Sequence, residues 1–201
     1  MSKLLIAVVA ASILILSYFA LRPSGANIID SGGKANNDAK EAYNLWKDYS
    51  PESKEFHVSL PTVPNVTSQS ALDNRTAKKK HYKIFLSEQL DSSLYVITAI
   101  SFGPDNKPEN DIHILENTIA DMVAQGVNNQ LKSAIETTFQ GRKAVKFEIE
   151  SDENHISGIA FVYRNKLYLL TRISKLNKVN EEEFNRFISS FKLNESISNG
   201  K

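Results

Sequence analysis

From Glu55 onward the chain alternates between apolar and polar positions. Phe56, Val58 and Leu60 interleave with His57 and Ser59 and stop at Pro61, which predicts a strand closed by a residue that cannot donate to a ladder. A weaker strand is expected over Val66–Leu72, ending at the turn-prone Asp73-Asn74. Strands over Lys80–Glu88 and Ser93–Phe102 follow, and Gly103, Pro104, Asn106 and Pro108 then break the pattern. The period next becomes helical. Ile112, Leu115, Ile119, Met122 and Val123 share one face, Asn110 or Asp111 caps the start, and Gly126 ends the helix. After it, Leu131–Gln140 pairs with Arg142–Glu150 across Gly141. In the second of these, Val145, Phe147 and Ile149 point one way and Lys146, Glu148 and Glu150 the other, as a strand with one wet face requires. Ile156–Tyr163 and Leu167–Ile173 form a further hairpin through Arg164-Asn165-Lys166. The last helix has the clearest signature. Asn180 caps it, Glu183 completes a capping-box-like pair, and Phe184, Phe187, Ile188 and Phe191 make one apolar stripe that must lie on the sheet.

Ahead of this block the pattern changes twice. Asp38–Tyr49 predicts a short amphipathic helix with Ala39, Ala42, Tyr43 and Trp46 on one face. Trp46, the only tryptophan, reads as packing that helix onto the fold, with ligand stacking as the other role open to it. Leu4–Leu21 is an uncharged stretch of eighteen residues between Lys3 and Arg22-Pro23. As a helix it would reach about 27 Å, close to the hydrocarbon thickness of a bilayer. Its length favours a retained anchor. The small residues Ser24-Gly25-Ala26 leave open a signal peptide cleaved after Ala26, and a buried soluble helix is a third reading. A short amino-terminal tail stays cytoplasmic in the usual export route, which places the folded part outside the cytoplasm. The layout expected is therefore an anchor over 1–22, a Gly/Ser/Asn-rich linker over 23–37, one α+β domain over 38–193, and a polar tail over 194–201.

Composition narrows the function. Twenty-four Lys and Arg against 23 Asp and Glu leave a formal charge of +1, which argues against nucleic acid as a partner, because such binding needs a basic surplus. Cysteine is absent, so the chain has no disulfide, no thiolate metal site and no lipid-acceptor cysteine. No nucleophile elbow, phosphate-cradling glycine loop or metalloprotease helix occurs in the sequence. His113 and Glu116 fall on adjacent turns of a helix, but two ligands are too few for a metal site without a third, and they read as a solvated face. Ser151-Asp152-Glu153-Asn154 is an acidic hairpin loop without the spaced ligands or the glycine of a calcium loop. Asn65, Asn74 and Asn194 head Asn-x-Ser/Thr triplets, which matter only in a eukaryotic secretory route. The sharpest local charge is Arg75, Lys78, Lys79 and Lys80, followed by His81 and Tyr82. This cluster is the candidate contact for an acidic partner or an anionic lipid surface, weighed against an ordinary solvated face.

The segments FHVSLPTVP at 56–64, GRKAVKFEIE at 141–150, RNKLYLLTRIS at 164–174 and FNRFISSFKL at 184–193 follow the order strand, meander, helix, strands, helix. That order resembles the PsbP-like fold of the photosystem II extrinsic protein, a Ran-binding nuclear import factor and the bacterial DcrB-like envelope proteins. The resemblance covers about Glu55 to Leu193. It implies an antiparallel β-sheet flanked by helices (an α/β/α sandwich), here behind an N-terminal transmembrane helix, and it implies a non-catalytic binding or assembly role without a cofactor. The motifs are structural and hold no chemistry, so they name no partner. The missing lipobox cysteine departs from the lipoprotein members and leaves anchoring to the N-terminal helix. The expected function is an envelope binding or assembly factor, anchored in the membrane, with a protein partner. The alternatives are a ligand- or lipid-binding protein with a pocket between helix and sheet, and an enzyme whose residues meet only on folding.

Overall fold

The computed structural model describes residues 45–72, 79–102 and 112–195. The anchor expected over 1–22, the linker over 23–37, the Ala26 cleavage site, the helix cap at Asn110 or Asp111, and Arg75 and Lys78 of the basic cluster lie outside them. Among the described residues no helix is long and apolar enough to cross a membrane.

The strands are β1 (Lys47–Tyr49), β2 (Phe56–Leu60), β3 (Asn65–Leu72), β4 (Lys79–Glu88), β5 (Leu94–Phe102), β6 (Gln130–Phe139), β7 (Arg142–Glu150), β8 (Asn154–Tyr163), β9 (Lys166–Lys175) and β10 (Lys192–Leu193). The helices are α1 (Ile112–Gln125) and α2 (Glu181–Ser190), with a 3-10 turn at Leu176–Lys178 before α2. Seven strands form one antiparallel sheet in the order β3-β4-β5-β9-β8-β7-β6. It is two meanders, β3–β5 and β6–β9, joined where β5 pairs with β9. The turn between β6 and β7 is two residues, Gln140 and Gly141, with φ of 49° and 74°, the left-handed conformation that glycine adopts without strain.

The sheet is covered on both faces. On one side Phe184, Phe187 and Phe191 pack with Phe56, Phe85, Tyr95, Phe161 and Tyr168 in an aromatic core. On the other, Leu115 and Ile119 of α1 meet Phe147, Ile149, Ala160 and Leu167. Eight consecutive residues of β9, Leu167–Ser174, are buried, because this central strand gives Tyr168 and Leu170 to the core under α2 and Leu167, Leu169 and Ile173 to the apolar clusters of the other face. The single wet face expected for β7 therefore holds only in part. Ala144 is buried on the α2 side, and Lys146 lies over the Phe184 ring and reaches Glu181 at 3.3 Å. Phe147 needs a special neighbour, since it lies opposite Gly158 in the ladder. A Cβ on residue 158 would sit 2.2 Å from the Phe147 ring, so only glycine lets that ring lie flat on β8.

Two local expectations are corrected. The helix over 38–49 does not extend to Lys47, because Lys47–Tyr49 is strand β1, pairing with Leu60, Ser59 and Val58 of β2. Trp46 and Tyr49 still face the core, with Trp46 edge-on to Tyr95 at 4.8 Å and Tyr49 against Phe85 at 6.1 Å. Apolar spacing of three residues suits a helix, but the open edge of β2 gains ladder hydrogen bonds only from an extended chain. The capping box is half made. The Asn180 side chain accepts from the Glu183 amide at 3.2 Å, but the Glu183 carboxylate turns inward instead of back to the cap.

Candidate functional site

Most of the interior is hydrocarbon, so its one large polar cluster has to be placed first. Arg172 on β9 is 2% exposed and lies among apolar neighbours. Its terminal nitrogen donates to Glu183 Oε2 at 2.7 Å, to Ser93 Oγ at 3.0 Å and to the Lys178 carbonyl at 3.2 Å, while Nε donates to the Tyr95 hydroxyl at 3.2 Å. Glu183 also accepts from Gln89 Nε2 at 2.9 Å. Tyr95 Oη lies 3.1 Å from Glu183 Oε2 and 2.9 Å from Gln89 Oε1. Burial raises the Tyr95 hydroxyl above its ordinary value, overriding the lowering effect of Arg172. Every member is paired within the protein, and together they tie the β4–β5 turn, β5, β9, the 3-10 turn and α2. This cluster is a clasp that seats α2.

The open chemistry lies at the other end of the same face. There two ladder rows of the large sheet come to the surface. The register places Ser70, His81, Ser101 and Lys166 in one row across β3, β4, β5 and β9, and Ser68, Lys83, Ala99 and Tyr168 in the next. All of them but Tyr168 line a groove of about 300 Å3, and Glu55 lines it with them. Ser70 Oγ and His81 Nδ1 lie 2.7 Å apart. Lys166 is ion-paired with Glu55, and Tyr168 Oη donates to Glu55 Oε2 at 3.4 Å. Lys83 lies 5.5 Å over the Phe85 ring, where the aromatic core begins. Ala99 is the floor, small enough to leave the space above it open. Donors therefore converge on one concavity, three hydroxyls and two ammonium groups with an imidazole between them. Such a set can hold a carboxylate or another oxyanion.

The residues singled out in the sequence divide between the two faces. Lys79 lies on the groove side of β4, one row beyond His81 and Lys83. Lys80 points to the opposite face, with Nζ 5.5 Å from the Phe102 ring. Adjacent residues of a strand face opposite ways, so Lys79 and Lys80 lie on different faces. Lys83, Ser70, Ser101 and Lys166 were missed, although polar residues at 81 and 83 on the face of Phe85 signalled that the core ends within β4. Elsewhere, His113 Nδ1 and Glu116 Oε2 are 3.1 Å apart on the exposed side of α1. Asp152 accepts from Asn128 at 2.6 Å and Glu153 from Lys175 at 2.8 Å, so the acidic turn faces separate partners. Asp48, His57 and Ser50 line up on the small sheet, but the Asp48–His57 separation is 3.5 Å and His57 is 48% exposed, too loose and too wet for an activated nucleophile. Among the described residues, no three His, Asp or Glu side chains gather into a metal site.

No protein-family model matches the chain, and no curated protein matches it in sequence. Among solved structures, the chain is similar to the solution structure of cyanobacterial PsbP (CyanoP) from Synechocystis sp. PCC 6803. The identity is 15%, the match covers 74% of this chain and 92% of that one, and the TM-score is 0.48.

Proposed function

We propose that this protein is a non-catalytic, membrane-anchored extracytoplasmic binding or assembly factor that meets a protein partner in the envelope through the β3–β5–β9 groove. The observation that carries the reading is the contrast between a closed core and the open polar corner across β3, β4, β5 and β9. The space under α2 is filled by Phe184, Phe187 and Phe191, each at most 1% exposed, and that under α1 by Leu115 and Ile119 at 1%. This packing speaks against a ligand pocket between helix and sheet. The groove, in contrast, presents unburied donors beside an edge strand, on the side that also carries Lys79. The anchor rests on Leu4–Leu21, whose uncharged length suits a bilayer.

The test is site-specific photo-crosslinking in native membranes, with the probe at Lys79 or Ser68 and a control at Lys143. Lys143 is exposed on β7 and faces the α1 side. The expected result is one defined adduct from the groove positions and none from the control. Equal labelling from all three positions, or none, would overturn the assignment.

A further inference from the structure

The groove has a geometry that names its occupant. We infer that it docks an acidic, extended segment of the partner protein, which adds as a strand along the outer edge of β3. This rests on the binding-factor reading above and gives it a chemical class.

Charge and hydroxyl placement carry the first half. The two rows lie two residues apart along each strand, about 6.8 Å at roughly 3.4 Å per residue. Same-face side chains of an added strand repeat at that distance, so carboxylates at i and i+2 face one row each. One meets Ser70 and His81 on β3 and β4, and the other meets Ser68 and Lys83 on the same two strands. The cations of β4 stand about 9.6 Å from an added strand, two strand spacings. Glutamate and lysine side chains together span that gap. Glu55 neutralises Lys166, which leaves Lys83 and Lys79 as the uncompensated charge of this corner among the described residues.

The edge itself carries the second half. Among the described residues β3 is the end strand of the sheet, its eight pairs with β4 run without a break, and Asn65–Leu72 contains no charged residue. Natural edge strands are usually guarded by charges, prolines or bulges, because an unguarded edge templates another strand. The opposite edge, β6, has such guards, with Lys132, Glu136 and a break in register between Leu131 and Ser133. The difference marks β3 as the edge kept open for strand addition. A flat lipid surface fits less well, since Lys83 and Lys166 are half-buried in a concavity.

The experiment uses the full chain in neutral detergent micelles and a fluorescein-labelled hexaglutamate peptide, followed by anisotropy and by hydrogen–deuterium exchange. Saturable, salt-weakened binding is expected. It should fall about tenfold in Lys83→Gln, the effect of losing one charge-assisted contact, and stay unchanged in Lys143→Gln. Exchange across Asn65–Leu72 should slow on binding. Lys79→Gln, at an exposed position on the same face, carries the same expectation if Lys83→Gln fails to fold. Several results would overturn the inference: no saturation, equal loss in Lys143→Gln, or unchanged exchange in β3. Displacement by inorganic phosphate at matched charge would make the groove a small-anion site instead. Preference for vesicles of anionic over zwitterionic phospholipid would make it a membrane contact. A crosslinked partner at Lys79 without peptide binding would reject the acidic strand and leave the binding-factor reading standing.

Discussion

Replacing Glu183 by leucine tests whether the Arg172 clasp holds α2 to the sheet. The guanidinium is 2% exposed and keeps three other acceptors, the Ser93 and Tyr95 hydroxyls and the Lys178 carbonyl, none of which carries a negative charge. Glu183→Leu therefore strands a buried cation, at a cost of about 3–5 kcal/mol. Arg172→Met strands the carboxylate, but Gln89 and Tyr95 still donate to it at 2.9 and 3.1 Å, so its cost should fall at the low end of the same range. The double variant removes both charges and leaves an apolar pair beside Phe187, which buried ion pairs generally tolerate with little loss. A coupling of at least about 2 kcal/mol between the two sites should result, within the range seen for residues in one network. The assay is urea unfolding of the full chain in neutral detergent, followed by circular dichroism. With a slope of about 1.5 kcal/mol per molar, a loss of about 4 kcal/mol moves the midpoint down by roughly 2.7 M. Additive losses in the double variant would show that Arg172 and Glu183 act separately, and the clasp would be refuted.

Phe187→Ala should cost about 3–5 kcal/mol, since Phe187 is fully buried against Tyr95 at 5.4 Å, whereas the exposed Asn185→Ala should be nearly silent. Equal thermal shifts for the two would refute the docking of α2. Burial raises the Tyr95 and Tyr168 hydroxyls above the ordinary value of 10.0, so the folded protein keeps those protons where the unfolded chain gives them up. Their contribution to stability is thus present below pH 10 or so and is lost as pH rises beyond it. Ultraviolet titration should find two of the seven tyrosines silent until alkaline unfolding, and a smooth titration of all seven while the protein stays folded would contradict this. The N-terminal segment should remain attached and fractionate with membranes, and a native protein beginning at Asn27 by mass spectrometry would show cleavage instead.

Local patterns were enough to read most elements. Strand β7 runs from Arg142 to Glu150 as the alternation of Val145, Phe147 and Ile149 requires, and Asn180 caps α2 as its position before three glutamates implies. Both are short-range effects, side-chain period in one case and an orphan amide in the other, and neither needs a distant partner. Lys47–Tyr49 was not legible in this way, because its strand state depends on the edge of β2 across a turn. Arg172 was equally hidden, since a single cation in an apolar run does not announce Ser93, Tyr95 and Glu183, which are brought to it from β5 and α2.

The sequence by itself determined most of the antiparallel strands, the helices α1 and α2 and the basic segment at 75–80, because period, capping and composition act over a few residues. Only the tertiary structure decided which of the described charges on β4 share a surface. Pairing of β3, β4, β5 and β9 in one register sends Lys79 and Lys83 to the groove and Lys80 to the far face, and it draws Ser70, Ser101 and Lys166 beside them. The spacing that matters for recognition is across the strands, where neighbours lie about 4.8 Å apart whatever their distance in sequence.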